Sequence, residues 1–266
     1  MSRIRSTWEH LAATQRRALI LYLTIGFPER ESALELVPRL VAAGADMVEL
    51  GVPFSDPLAD GATVQRATER ALKNRVNVPF CIETVRQLRE RGVDVPLLFM
   101  GYLNPMLQYG LERFCADAQA AGLDGVIVPD LPPEESGELL TACRAHDIDL
   151  IQLLAPTSTE ERIGHVIEQA SGFIYCVSLT GVTGARAELP AELPAFLSRV
   201  RAQTETPLAV GFGISQPEQA HQVAQIADGV VVGSALLNVV EQGKDLEAFV
   251  RGLREAIDQD VPSTAA

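Results

Sequence analysis

The chain is poor in the residues that bind metals and nucleic acids. It has 4 cysteines and 4 histidines among 266 residues, and neither type clusters at metal-ligand spacing. Its 22 basic side chains are outnumbered by 35 acidic ones, which gives a net charge of −13. A nucleic-acid interface requires a basic patch, so this balance argues against one. We therefore expect neither a metal site nor a nucleic-acid partner.

Long apolar segments are also missing. The apolar run at residues 18–27 follows Arg16 and Arg17 and so imitates a targeting signal. It is far shorter than the roughly 20 residues that span a bilayer, and no small-residue cleavage site follows it. We interpret it as a buried strand and expect no membrane association. The four cysteines are scattered without a C-x-x-C motif, which favours buried free thiols and a cytoplasmic protein: Cys81, Cys115, Cys143 and Cys176.

Eight short apolar runs recur along the chain, with longer helix-like segments between them. Each run is continuously apolar, which is typical of strands buried on both faces of a parallel sheet. The runs cover residues 19–24, 47–50, 96–100, 125–128, 150–154, 173–177, 208–210 and 229–232. Their alternation with helices predicts a closed α/β (β/α)₈ TIM barrel rather than an open doubly wound sheet. No linker divides residues 1–266, so we expect a single domain.

The joints between predicted helices and strands repeat as well. Residues 43–46, 91–94 and 121–124 each place a glycine at a helix end and then turn into a strand. Glycine accepts the left-handed conformation that ends a helix. Residues 1–15 are predicted to form an extra N-terminal helix that caps the bottom of the barrel. Pro38 should kink the next helix or mark its true start.

The loops that follow the strands are expected to build the active site, since they form the C-terminal face of the barrel. Glu49 interrupts the second apolar run near its end, so its side chain is predicted to point into the barrel mouth. Burial there raises a carboxyl pKa towards the range useful for proton transfer. Asp56 and Asp60 lie on the following loop. A single acid on such a loop is as often a helix cap or a solvated charge, which leaves the role of Asp56 open, whereas the position of Glu49 makes it a candidate for proton transfer.

Glycine-rich turns follow the last three strands. Residues 178–186 resemble a mobile lid of the kind that closes over phosphorylated substrates. Gly211-Phe212-Gly213 follows the seventh strand, and Gly233-Ser234 follows the eighth. In many barrels these two late loops form a phosphate cradle, because glycine lets backbone N–H groups approach the anion. One such turn is weak evidence, but two at these positions favour a phosphate site.

Four motifs, in chain order, resemble the tryptophan synthase alpha chain family. They lie at residues 49–61, which include Pro-Phe-Ser-Asp-Pro-Leu-Ala-Asp-Gly, and at 101–105, 128–132 and 181–184. The resemblance runs essentially end to end. It implies a lyase that splits indole-3-glycerol phosphate into indole and glyceraldehyde 3-phosphate by retro-aldol cleavage in L-tryptophan biosynthesis. It also implies no cofactor on this chain, with pyridoxal phosphate only on a beta-chain partner in an α2β2 heterotetramer.

The resemblance further implies roles for individual residues. Glu49 matches the acid/base group, and Asp60 matches the carboxylate that stabilises positive charge at the indole N–H. The substrate-binding positions are Tyr22, Met100, Tyr102, Ile127, Leu153, Tyr175, Thr183, Phe212 and Val232. The phosphate-binding positions are Gly184, Gly213, Gly233 and Ser234. The partner-contacting positions are Pro53, Phe54, Asp56, Pro57, Asn104, Gln108, Pro132, Glu134 and Glu135.

Three functions remain open from the sequence. The chain is an alpha chain that works with a beta partner, a free-standing lyase with the same site, or a regulatory subunit that binds ligand without turnover. The presence of both Glu49 and Asp60 disfavours the third. Phe27, Ala62 and Pro129 depart from the family pattern, which bears on loop packing and affinity rather than on the reaction.

Overall fold

Eight parallel strands close into a barrel in chain order. The structure, a computed structural model, describes residues 2–177, 190–211 and 213–259. The last strand pairs with the first, so the sheet has no free edge. The strands are β1 (Ala18–Thr24), β2 (Met47–Gly51), β3 (Leu97–Met100), β4 (Gly125–Ile127), β5 (Asp149–Leu154), β6 (Ile174–Val177), β7 (Leu208–Gly211) and β8 (Gly229–Val232). The predicted TIM barrel is confirmed, and each predicted run lies within one residue of a strand at either end.

Helices connect the strands and surround the barrel. They are α1 (Arg3–Ala13), α2 (Ala33–Ala42), α3 (Ala62–Lys73), α4 (Val78–Glu90), α5 (Leu103–Tyr109), α6 (Leu111–Ala121), α7 (Gly137–Ala145), α8 (Glu160–Gln169), α9 (Leu193–Arg201), α10 (Pro217–Ala224), α11 (Ser234–Glu241) and α12 (Leu246–Ile257). A single 3₁₀ turn, Pro133–Glu135, precedes α7. Within the described ranges, no helix is long and apolar enough to cross a membrane.

The strands separate two apolar cores. Successive side chains of a strand point to opposite faces, so one set fills the barrel and the other packs under the helices. In β1, Ile20 faces the interior and Leu21 faces the helices. The interior set also contains Met47, Leu98, Ile127, Ile151, Tyr175, Ala209 and Val231. Because both faces are buried, the strands show the continuous apolar runs that the sequence displays.

The N-terminal helix closes the bottom of the barrel, as predicted. Ile4, Trp8 and Leu11 belong to the interior core although they lie on α1. A side chain at Gly229 would place its Cβ 2.9 Å from Trp8 Cη2, which is closer than real Cβ contacts come. Glycine at the start of β8 therefore makes room for the Trp8 ring.

The joints follow the predicted design, with one feature that the sequence analysis did not assign. Gly44 and Gly122 have φ of +117° and +93°, which confirms the predicted left-handed turns. The aspartate after each turn then bonds the neighbouring strand. The Asp46 carboxylate accepts the Leu19 N–H at 2.8 Å, and the Asp46 N–H donates to the Leu19 carbonyl at 2.9 Å. The same two bonds join Asp124 to Leu97 and Asp228 to Leu208.

Pro38 does not mark the start of its helix, which begins five residues earlier at Ala33. A proline inside a helix leaves the carbonyl four residues before it without its usual donor. That carbonyl belongs to Leu34, and Arg91 Nη1 donates to it at 2.9 Å. A side chain from α4's end thus supplies the bond that the proline cannot make.

Candidate active site

A cleft of about 790 Å³, including its opening to solvent, lies at the C-terminal ends of the strands. It is the position at which parallel barrels build their active sites. Its side chains come from loops far apart in the chain, and its lining combines two carboxylates, apolar and aromatic side chains, and glycine or hydroxyl groups. Among the lining residues are Tyr22, Glu49, Asp60, Val64, Met100, Tyr175, Gly213, Ile214, Ser215, Val231, Gly233, Ser234 and Asn238.

Glu49 is a fully buried acid without compensation. It lies on β2 opposite Tyr22 of β1 and Leu98 of β3, and its side chain lines the cleft. Its exposure is 0%, and neither carboxyl oxygen has a hydrogen-bond partner among the described residues. Burial raises the pKa of Glu49 from 4.5 to about 8, because no partner offsets the loss of solvation. The group therefore holds a proton at neutral pH that it can donate.

Asp60 provides a second carboxylate with a different environment. It lies on the loop between β2 and α3 and is half-buried. Burial raises the pKa of Asp60 to about 6, while a hydrogen bond with the Tyr102 side chain acts in the opposite direction. At neutral pH this carboxyl group is mostly ionised. The two acids thus differ in charge state, which is the usual arrangement when one transfers protons and the other stabilises charge.

Two tyrosine rings stand beside these acids, and glycine makes room for each of them. Tyr22 on β1 and Tyr175 on β6 are both buried and line the cleft. A Cβ at Gly51 would lie 2.2 Å from the Tyr22 hydroxyl, and one at Gly211 would lie 2.1 Å from the Tyr175 hydroxyl. The Tyr22 hydroxyl is 3.2 Å from Thr24 Oγ1. Burial raises the pKa of both phenols, so they stay neutral and act as walls or hydrogen-bond groups.

The part of the cleft formed by the turns after β7 and β8 is suited to an anion. Gly213, Gly233 and Ser234 line it, and α11 begins at Ser234. The first N–H groups of a helix have no partner within the helix and favour a negative charge. Ser215 and Asn238 add polar side chains there. None of the described lining residues is Lys, Arg or His, so an anion would be held by backbone donors and hydroxyl groups.

Among the described residues, no group of three or more His, Cys, Asp or Glu side chains could hold a metal ion. The four cysteines are free and buried, as expected.

Comparison with known proteins identifies the family. A family model described as tryptophan synthase alpha chain matches residues 8–261. The chain belongs to the tryptophan synthase alpha chain family. The members of this family are lyases that cleave indole-3-glycerol phosphate in tryptophan biosynthesis, and the resemblance found in the sequence is thereby confirmed.

Individual relatives agree along nearly the whole length. The tryptophan synthase alpha chain of Roseiflexus sp. (strain RS-1) is 59% identical over 260 residues, which cover 96% of this chain and 100% of the relative. The crystal structure of the alpha subunit from Legionella pneumophila superposes with a TM-score of 0.91 at 42% identity, covering 97% of this chain and 99% of that one. A structure of Mycobacterium tuberculosis tryptophan synthase gives 0.89 at 39% identity, with 96% and 98% coverage.

The structure locates most of the substrate-binding positions implied by the alpha chain family. Tyr22, Met100 and Tyr175 line the cleft. Ile127 and Leu153 face the barrel interior. Tyr102 is buried and is not among the described lining residues; its hydroxyl accepts the N–H of Ala59, which does line the cleft. Thr183, Gly184, Phe212 and the predicted lid at residues 178–186 lie outside the described residues.

Val232 faces away from the cleft. It is fully buried in the core between strands and helices, and its neighbour Val231 lines the cleft instead. The prediction placed Val232 on the wrong face of β8, because a continuous apolar run does not reveal which alternate residues point inward. The alternation could have been anchored at Gly229, which lies against Trp8 of the bottom helix, but that contact is not visible in the sequence.

Sequence reasoning also missed Val64, Ile214, Ser215 and Asn238, which line the cleft. For Asn238 a signal exists. It lies four residues after Ser234 on α11, and residues at that spacing share a helix face.

The positions implied as partner contacts form a mostly exposed set on the same face. Asp56, Asn104, Gln108, Glu134 and Glu135 are exposed, while Phe54, Pro57 and Pro132 are half-buried. Pro53 is buried, so its side chain is not part of that exposed set. Two leucines on the same segments were not predicted. Leu58 is 86% exposed and Leu107 is 46% exposed.

Proposed function

We propose that Glu49 is the acid/base group of the alpha reaction in this chain. The observation that carries the proposal is its complete burial without a hydrogen-bond partner in the described structure. A buried carboxyl group with a pKa of about 8 is protonated at neutral pH and is close enough to neutrality to give and take a proton. A purely structural acid would have been paired with a cation or a strand N–H, as the aspartates at the bottom of the barrel are.

In this mechanism the Glu49 carboxyl group donates its proton to C3 of the indole ring, which places positive charge on the ring nitrogen. The resulting carboxylate then takes the proton of the side-chain hydroxyl next to C3. As that hydroxyl becomes the aldehyde carbonyl, the carbon–carbon bond to C3 breaks and its electrons restore the aromatic ring. Glu49 ends the cycle protonated, as it began. The products are indole and glyceraldehyde 3-phosphate.

Asp60 has the complementary role. An ionised carboxylate near the ring nitrogen stabilises the positive charge that develops there after C3 is protonated. With a pKa of about 6, Asp60 is ionised at the pH at which Glu49 is still protonated. The pair therefore works in a window between the two values. We expect kcat/KM to follow a bell-shaped pH profile whose acidic limb reports Asp60 and whose alkaline limb reports Glu49.

The two ends of the cleft fit the two ends of indole-3-glycerol phosphate. Apolar side chains such as Met100 and Val231 suit an uncharged aromatic ring. Gly213, Gly233 and Ser234 suit the phosphate, bound through backbone donors and the first turn of α11. A crystal grown in phosphate should hold an anion at these three residues. Loss of activity on chelation, restored by a divalent ion, would contradict this arrangement.

The partner we propose is a tryptophan synthase beta chain, in an α2β2 tetramer in which pyridoxal phosphate is bound by the beta chain alone. The support is two exposed leucines, Leu58 and Leu107, on segments that also carry polar residues that the family resemblance assigns to the interface. Exposed large apolar side chains with polar neighbours are typical of docking surfaces. We place the complex in the cytoplasm, where the four buried thiols would stay reduced.

The decisive experiment measures indole release from indole-3-glycerol phosphate, with and without a beta chain. We expect slow release alone and strong activation by the partner. A chain that releases indole at the full rate alone, and does not respond to a beta chain, would be a free-standing lyase. A chain that binds the substrate and activates the partner without releasing indole would be a regulatory subunit.

A further inference from the structure

Tyr102 lies where three segments of the catalytic face meet. It lies two residues after the end of β3 and is the N-cap residue of α5. Its side chain is only 4% exposed, and its ring lies 5.4 Å from the Phe54 ring, measured between centroids. Phe54 belongs to the loop that carries Asp60. The Tyr102 ring therefore packs against the loop of the second catalytic carboxylate although it comes from a different strand.

The Tyr102 hydroxyl group interacts with two consecutive residues of that loop. It accepts the Ala59 N–H at 3.0 Å, which fixes the backbone directly before Asp60. The Tyr102 side chain also acts on the Asp60 carboxyl group and lowers its pKa, as expected of a phenol O–H that can donate towards the ionised form.

The backbone beside Tyr102 is fixed in turn. Asp130, on the loop after β4, accepts the Leu103 N–H at 3.0 Å through one carboxylate oxygen and at 3.3 Å through the other. This first N–H of α5 would otherwise lack a partner. Helix α5 also carries the exposed residue Leu107. If a docked partner shifted α5 or the loop after β4, Tyr102 would therefore shift as well, and the position of Asp60 would change with it.

The charges around Asp60 make this hydroxyl important. Tyr22 of β1 and Tyr102 face Asp60, Glu49 of β2 lies across the cleft, and Asp130 lies beyond Tyr102. None of these is a cation, and the described lining of the cleft supplies none. An ionised carboxylate in such surroundings is stabilised mainly by the hydrogen bonds that it accepts.

We propose that Tyr102 is a positioning residue that holds Asp60 ionised and aimed into the cleft, and that it links Asp60 to the face where a partner docks. The proposal rests on the role given above to Asp60. It differs from the substrate-binding role that the family resemblance implies for Tyr102, since the hydroxyl acts through Asp60 rather than on the substrate.

The test compares Tyr102→Phe with the parent chain. The ring stays against Phe54, so folding should be preserved, and thermal unfolding checks this. We expect the acidic limb of kcat/KM to move to higher pH, with a loss of about tenfold near pH 6 that shrinks as the pH rises, because the hydroxyl group that lowers the pKa of Asp60 is removed. Tyr109→Phe is the matched control, since that hydroxyl bonds Asp117 at 2.7 Å on the outer surface and should leave the profile unchanged.

A second readout does not depend on activity. The carboxyl carbon of Asp60 is followed by ¹³C NMR during a pH titration, with Asp60→Asn used to assign the signal. Asp60 should titrate at a higher pH in Tyr102→Phe than in the parent. Asp130→Ala, which keeps the hydroxyl but frees the Leu103 N–H, should move it in the same direction by less.

The outcomes separate this proposal from the proposed function. An unchanged Asp60 titration in Tyr102→Phe would overturn the positioning role, and so would a raised KM with an unshifted pH profile, which would indicate a substrate contact. If instead Glu49→Gln and Asp60→Asn keep full turnover, the proposed function fails. The NMR titration then still decides whether Tyr102 controls Asp60.

Discussion

The two ends of the barrel treat acidic side chains in opposite ways. At the bottom, every one of the three joint aspartates that bond a neighbouring strand N–H also bonds an arginine. Arg254 Nη1 lies 2.8 Å from Asp46 Oδ2, and the other two pairs are Arg89 with Asp124 and Arg201 with Asp228. Each carboxylate therefore has both a backbone donor and a cation. These partners offset part of the cost of burial, although burial still raises the pKa of Asp46. Together the bonds fix one helix end to one strand.

At the C-terminal face, the two carboxylates have far fewer partners. Glu49 has no hydrogen-bond partner in the described structure, and the side chain that lowers the pKa of Asp60 is the neutral phenol of Tyr102. Both pKa values are raised by burial, to about 8 and about 6. Acidic side chains thus stabilise the fold where a cation and a backbone N–H bond them, and they are available for catalysis where such partners are missing. In this fold an acid without a partner, rather than an acid as such, marks the functional end.

The largest effect that would test this contrast is on turnover. Glu49→Gln keeps the shape of the side chain but removes the proton that it transfers. Because Glu49 acts at both proton transfers, we expect turnover to fall about 10⁴-fold or more, with substrate binding retained. Steady-state indole release and substrate titration measure the two quantities. Near-normal turnover in this variant would remove Glu49 from the mechanism.

The mirror experiment removes a bottom carboxylate. Asp124→Ala leaves the Leu97 N–H without its acceptor and the Arg89 side chain, which is 12% exposed, without its counter-ion. Breaking a buried pair in this way typically costs about 3–5 kcal/mol, so the free energy of unfolding should fall by that amount. The kcat of the folded protein should stay within a few-fold of the parent value.

Urea denaturation and the indole assay on the same samples separate stability from activity in that variant. Asp94→Ala is the control, because Asp94 lies at the same end but is exposed. If Asp124→Ala proved as stable as Asp94→Ala, the joint aspartates would not stabilise the barrel as described.

A smaller effect tests the cost of an uncompensated acid. With a pKa of about 8 in the folded protein and an ordinary value of 4.5, Glu49 keeps its proton on the folded chain where the unfolded chain has lost it. The free energy of unfolding therefore falls as pH rises from about 4.5 to about 8, and stays flat for this group above that. Glu49→Gln should match the parent near pH 4.5 and exceed its stability by a few kcal/mol near pH 8.5.

Unfolding curves at both pH values, with the exposed Glu255→Gln as control, would measure this difference. A variant that is less stable than the parent at pH 8.5 would mean that Glu49 has a stabilising partner. The expected combination, lower activity with higher stability, is typical of residues kept for function.

The strands of this barrel could be predicted because both faces of the sheet are buried, which makes each strand a continuous apolar run. The same property hides which residues point inward, and for that reason Val232 was assigned to the cleft in place of Val231. Glu49 escaped this ambiguity, since a lone acid within an apolar run has to face the polar mouth.

Contacts between distant segments were beyond prediction. The joint aspartates were visible as a repeat, but their bonds to Leu19, Leu97 and Leu208 depend on strand order. The bond between Tyr102 and the Asp60 loop joins residues about forty positions apart and follows only once the barrel closes. The periodicity of apolar residues predicts local structure, whereas the partner of a given side chain depends on how the helices and strands are packed.

The smallest expected effect concerns coupling to the partner. It adds a third kind of acid to the comparison between the two ends of the barrel. Asp56 is exposed, and its carboxylate accepts a bond from its neighbour Ser55, so it is neither compensated by a cation nor buried. It shares a loop with Asp60, which lets docking bias the geometry of the catalytic carboxylate. If the competent geometry is about 1% populated alone, a partner that selects it raises turnover by up to about 100-fold.

Asp56→Ala should lower this activation several-fold and the basal rate by less, when indole release is measured against beta-chain concentration. Asp94→Ala, at the far end of the barrel, should change neither quantity. Equal losses in basal and activated rates for Asp56→Ala would mean that Asp56 acts within the site rather than through docking.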